Sequence, residues 1–78
     1  MQIDAIYEHK RVTAFLKTRG LLLQYKKCKN YLLTENTKNT NLKLRKPKEL
    51  GIYYFRINKQ FRALCTIKNN ELRVFKKD

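Results

Sequence analysis

The sequence predicts an α+β domain in which two N-terminal helices pack on one face of a small antiparallel β-sheet. Three observations carry that expectation. Apolar residues recur at helical spacing between Glu8 and Leu33. From Ile52 onward they alternate with a period of two, interrupted by two short polar turns. Sorting that alternation gives one face that is wholly apolar or aromatic, the side for helices to cover.

Taken in order, residues 2–7 are compatible with a short first strand. Between Glu8 and Arg19, Val12, Phe15 and Leu16 fall at i, i+3 and i+4, which suits an amphipathic helix ending at Gly20. Leu21, Tyr25, Cys28 and Leu32 then make the stripe of a second helix, with Lys26, Lys27 and Lys29 on its other face. Asn36–Asn41 is a polar, loop-forming run, and Leu42–Arg45 begins a strand. Lys46–Gly51 reads as a turn, because Pro47 lacks a donor and Gly51 frees the backbone. Ile52–Ile57, Phe61–Lys68 and Glu71–Lys76 form a meander, turning at Asn58-Lys59-Gln60 and at Asn69-Asn70. Tyr53, Phe55, Ile57, Phe61, Ala63, Cys65, Ile67, Leu72 and Val74 share the apolar face. Tyr54, Arg56, Arg62, Leu64, Thr66, Arg73 and Phe75 share the other, which is mixed, basic and aromatic.

Seventy-eight residues make one domain spanning 1–78. A chain of that size buries only about 60% of its unfolded surface, so its stability depends on a well-packed core or a partner. Five tyrosines and four phenylalanines supply enough apolar bulk for such a core. No run of eighteen apolar residues offers a membrane span, and Met1-Gln2-Ile3-Asp4-Ala5 lacks the pattern of a secretory signal. Cys28 and Cys65 have no CxxC spacing and His9 is the sole histidine, which excludes an ordinary zinc site and a disulfide framework. Both cysteines read as buried, reduced thiols of a cytoplasmic protein.

Charge narrows the function. Nineteen lysines and arginines against six acidic residues give a net charge of +13. Such an excess points first to nucleic acid, then to an acidic protein, and last to an anionic membrane, for which no basic amphipathic helix is present. The turn at Asn58-Lys59-Gln60 sets Ile57 opposite Phe61 and Arg56 opposite Arg62. Like charges opposed on one sheet face are unfavourable, so the pair either merely solvates the hairpin or waits for an anion.

On that face Tyr54 or Phe75 is suited to stack on a splayed base while Arg56, Arg62 and Arg73 meet phosphates. Lys43, Arg45, Lys46 and Lys48 widen the basic surface just upstream. Metal-free RNA cleavage needs the 2′-hydroxyl deprotonated, the pentacoordinate phosphate neutralised and the leaving 5′-oxygen protonated. Paired arginines supply the second requirement. For proton transfer the candidates are Lys48, Lys46 and Tyr54, since His9 reads as a helix-terminus or surface residue. Two glycines give no phosphate loop, six scattered carboxylates give no metal cage, and Cys28 has no histidine partner for nucleophilic catalysis.

Gly51–Ala63 resembles the R-[IV]-N-x-Q-[WF]-R hairpin of the HigB-type branch of the RelE/ParE toxin superfamily, and Leu42–Lys48 is similar to that family's lead-in. The order of elements fits over essentially the whole chain, so the resemblance implies a RelE-like fold. It further implies a type II toxin that cuts mRNA in the ribosomal A site without metal or cofactor. A small cognate antitoxin would hold it inactive. By position, Arg62 matches the arginine that stabilises the scissile phosphate and Arg56 the second basic residue. Lys46 or Lys48 occupies the region of the catalytic lysines. Family members often carry a Tyr or His after the last strand, and Val74–Asp78 holds neither. That departure leaves proton transfer to lysines, makes the chain a non-catalytic relative that binds RNA or antitoxin, or means that the sequence is truncated. A ParE-type gyrase inhibitor is the third reading.

Overall fold

A strand opens the chain. The computed structural model describes residues 2–34 and 41–77, so the expected loop at Asn36–Asn41 lies outside the described residues except for Asn41. The elements are β1 (Ala5–Glu8), α1 (Lys10–Thr18), α2 (Leu22–Leu33), β2 (Lys43–Leu44), a 3-10 turn (Lys48–Leu50), β3 (Ile52–Arg56), β4 (Arg62–Lys68) and β5 (Glu71–Lys77). They form a five-stranded sheet in the order β1-β5-β4-β3-β2.

This corrects the expected architecture. The helices are preceded by a strand, and the sheet is mixed, because β1 runs parallel to β5 with Ala5 beside Glu71 and Glu8 beside Val74. A parallel partner at the far end of the chain leaves no hairpin signal in the sequence. What commits the N-terminus is burial: Ile3 is 2% exposed and belongs to the core.

Local chemistry explains both helices. His9 caps α1 through its ring Nδ1, which accepts the Arg11 amide at 3.1 Å. The helix ends in a Schellman arrangement, with the Leu21 amide donating to the Leu16 carbonyl at 2.8 Å and Gly20 at a φ of 68°. Val12 and Leu16 of α1 and Tyr25, Cys28 and Leu32 of α2 bury the expected stripes against Phe55, Ile57, Ala63, Cys65, Leu72 and Val74. Lys29 leaves the solvent face assigned to it. Its ammonium sits 3.1 Å from Glu8, and the Tyr25 hydroxyl donates to the same carboxylate at 2.9 Å. Burial, then that carboxylate, pushes the Tyr25 hydroxyl above its ordinary range.

The turns set the register. The Asn58 side-chain oxygen accepts the amides of Gln60 and Phe61, both at 2.8 Å, and closes the β3–β4 hairpin. Asn69 and Asn70 both take positive φ, 53° and 63°, as a two-residue primed turn requires. One irregularity shifts the outer part of β5. Cys65 faces Val74 but Leu64 faces Lys76, so Phe75 is the extra residue of a bulge.

Both thiols are free and buried. Burial pushes the Cys65 thiol from 9.0 up to about 12, and raises Cys28 as well. Above pH 9 an unfolded thiol loses its proton while folded Cys65 keeps it, so the unfolded state gains and stability falls until the folded group also ionises. The stability advantage of the native chain over Cys65→Ala is therefore expected to hold below pH 9. It should shrink by up to about 1.4 kcal/mol per pH unit from there towards pH 12, read by urea unfolding. A pH-independent difference between the two proteins would show that the thiol is not shielded.

Candidate phosphate-binding site

The exposed sheet face carries the opposed arginines. Arg56 and Arg62 are register partners across β3 and β4, and both are exposed. One step along, Lys43 pairs with Tyr54. Together with Asn41 these side chains line a cavity of about 270 Å³. The Arg62 guanidinium lies 5.3 Å from the Tyr54 ring centroid, which holds the ring and the charge together. Among the described residues, the two ion pairs are Lys29–Glu8 and Arg73–Glu71. Three cations thus converge on one concavity with no carboxylate among the described residues of its lining. For phosphate that is a preorganised, uncompensated charge.

The hairpin backbone beneath the cavity is fixed from the core. The Cys28 thiol donates to the Arg56 carbonyl at 3.4 Å, and on the side facing the helices Phe55 is 0% exposed. A strand with one face packed and the other polar projects Tyr54 and Arg56 together on the open side.

The other candidates stand apart. The Arg45 amide donates to the Ile52 carbonyl at 2.7 Å, extending the β2–β3 ladder. Lys46 precedes Pro47, and Lys48 opens the 3-10 turn; all three basic side chains are exposed and none lines the cavity. Arg73 is on the open face but two strands from β3, bound to Glu71 at 2.9 Å and lying 5.1 Å from the Tyr7 ring centroid. Phe75, displaced by the bulge, lies beside Tyr7 and Arg73 on one side and α1 on the other. Its ring is therefore not beside Arg56 and Arg62. Leu64, placed on the mixed face, is only 4% exposed. Asn41 is the lining residue that sequence reasoning missed. Asparagine tolerates the φ of 55° that it adopts there, but nothing in the sequence sets Asn41 apart from the other asparagines of its run.

Among the described residues no three His, Cys, Asp or Glu side chains cluster as a metal site would require. None of the described helices is long and apolar enough to cross a membrane.

No protein-family model matches the chain, and no curated protein matches its sequence. A solved chain from the heterotetrameric YoeB–YefM toxin–antitoxin complex of Staphylococcus aureus is similar in structure, with a TM-score of 0.62. The similarity covers 97% of this chain and 94% of that one, at 18% sequence identity. What the two chains share is the fold.

Proposed function

We propose that the chain is the toxin of a type II toxin–antitoxin pair in the RelE/ParE superfamily, acting in the cytoplasm on mRNA bound to the ribosome and restrained by an antitoxin. The observation that carries this is the cavity in which Arg56, Arg62, Lys43 and Tyr54 converge with no counter-charge among the described residues. The HigB-type hairpin motif supports it, as does a fold shared with a chain of a toxin–antitoxin complex.

In this reading Arg56 and Arg62 hold the scissile phosphate and neutralise the charge that grows as the 2′-oxygen attacks. The Tyr54 ring offers a face for a base. Of the groups able to exchange a proton, Tyr54 and Lys43 line the cavity, whereas Lys46 and Lys48 stand on the connection beyond it. Proton transfer thus falls to the phenol and the nearer lysine.

A second reading, binding without cleavage, draws on one fact. Among the described residues the lining holds neither histidine nor carboxylate, the groups that ordinarily serve as a base near pH 7. Inducing the chain alone in bacteria is expected to arrest growth, and primer extension on ribosome-bound message to show new 5′ ends. Arrest with intact message would replace cleavage by the binding reading. Undiminished growth with folded protein present would overturn the toxin reading, and salt-sensitive RNA binding without new 5′ ends would then support the binding one.

A further inference from the structure

A second concavity lies on the helix-covered side of the sheet, between the start of α1 and the end of β5. It encloses about 450 Å³ and is lined by Arg11, Val12, Phe15, Phe75, Lys76 and Lys77. We propose that this groove docks an acidic, apolar-studded segment of a protein partner, which under the function proposed above is the antitoxin.

Three observations select that occupant. The floor is apolar, with Val12 2% exposed and Phe75 41% exposed. Among the described residues the rim is cationic, because the lining contains three basic side chains and no acidic one. The Lys77 ammonium stands 4.5 Å from the Phe15 ring centroid and the Arg19 guanidinium 5.2 Å from it, so positive charge overhangs the apolar wall. The sheet edge is also open here. β1 follows β5 only as far as Val74, leaving the outer edge of Phe75–Lys77 without a strand partner among the described residues. An extended segment added there meets free main-chain groups, lays apolar side chains on the floor and sets carboxylates against the rim.

RNA fits less well. The Phe15 ring is flanked by those two cations and packed edge-on against Phe61 at 5.2 Å, so it offers no free face for a base. The groove is also distinct from the arginine cavity. Lys77 is the register partner of Ala63, whose neighbour Arg62 projects from the opposite face. A partner seated in the groove grips the same end of the sheet without occupying the phosphate site.

The test is fluorescence anisotropy near physiological ionic strength, using a labelled peptide that alternates glutamate with valine. A control peptide keeps the glutamates and replaces valine by serine. The native chain should bind the first peptide at least about tenfold more tightly than the second. Phe75→Ser and Lys77→Glu, each confirmed folded by circular dichroism, should each weaken it at least about tenfold. Arg62→Gln should leave it within about twofold. Equal binding of the two peptides, no binding, insensitivity to the groove variants, or displacement by single-stranded oligouridylate would overturn the assignment. Peptide binding is read apart from growth arrest, so a chain that binds the peptide but arrests nothing keeps the groove and loses the toxin reading.

Discussion

Replacing Arg56 and Arg62 together by alanine is expected to abolish growth arrest while leaving the fold intact. Two effects on stability oppose each other. The double variant loses the cation–π interaction between Arg62 and Tyr54, worth about 0.5–1 kcal/mol at an exposed site. It also removes the repulsion between two guanidiniums held opposite one another, a cross-strand effect of about 0.2–1 kcal/mol. The two nearly cancel, so the melting midpoint should stay within about 4 °C of the native value. Binding has no such compensation. Without each charge-assisted bond to phosphate the complex is weaker by about 1.5–3 kcal/mol, so affinity for single-stranded RNA should fall by roughly a hundredfold or more. The slope of log affinity against log salt should become shallower by about 1.4, or 0.7 for each phosphate that is no longer neutralised on a single strand. Filter binding across a salt series, run beside the growth assay and a thermal melt, measures these quantities. A double variant that still arrests growth would remove the arginine pair from the mechanism.

The second large effect lies one residue away on the opposite face. Phe55→Ala should cost about 3–5 kcal/mol, because the ring is 0% exposed and stacks on Tyr25 at 6.3 Å between centroids. Domains of this size sit near the lower end of the usual 5–15 kcal/mol range, so most of the stability is lost with that single ring. A thermal melt followed by circular dichroism should show a weak transition at much lower temperature, or none. Tyr54→Ala, on the open face of the same strand, should lower stability by no more than about 1 kcal/mol while impairing the site. If the two variants melted alike, the division of β3 into a core face and a working face would be wrong.

What could be read from the sequence was what local chemistry decides. The Arg56–Arg62 pairing follows from a tight turn whose first residue, Asn58, bonds two amides of its own loop. The helix stripes follow from periodicity, and the Asn69–Asn70 turn from two residues that accept positive φ. What escaped depends on partners distant in the chain. A strand is compatible with residues 2–7 from sequence alone, but nothing between Gln2 and Glu8 announces that it pairs with β5 or runs parallel to it. The bulge at Phe75 breaks strict alternation without a glycine to mark it, and so moved an expected RNA-stacking ring to the α1 side. Charge counting treated Lys43, Arg45, Lys46 and Lys48 as equals, whereas pairing with Tyr54 brings Lys43 alone into the cavity.

The parallel pairing of the first strand with the last has a consequence for synthesis. As the chain leaves the ribosome, Ala5–Glu8 emerges early but has nothing to pair with until Glu71–Val74 follows. The hairpin that carries Arg56 and Arg62 closes over a short loop, whereas β1 must close one that runs from Glu8 to Glu71, a slower and entropically costlier step. Until then Ile3 has no completed core to enter, and the long edge of β5 lies uncovered. While that loop is open the β5 edge stands uncovered, even though the hairpin that holds the phosphate site closes over a short turn of its own. An edge uncovered in this way is a template for another strand, and the pairing of β1 with β5 removes it.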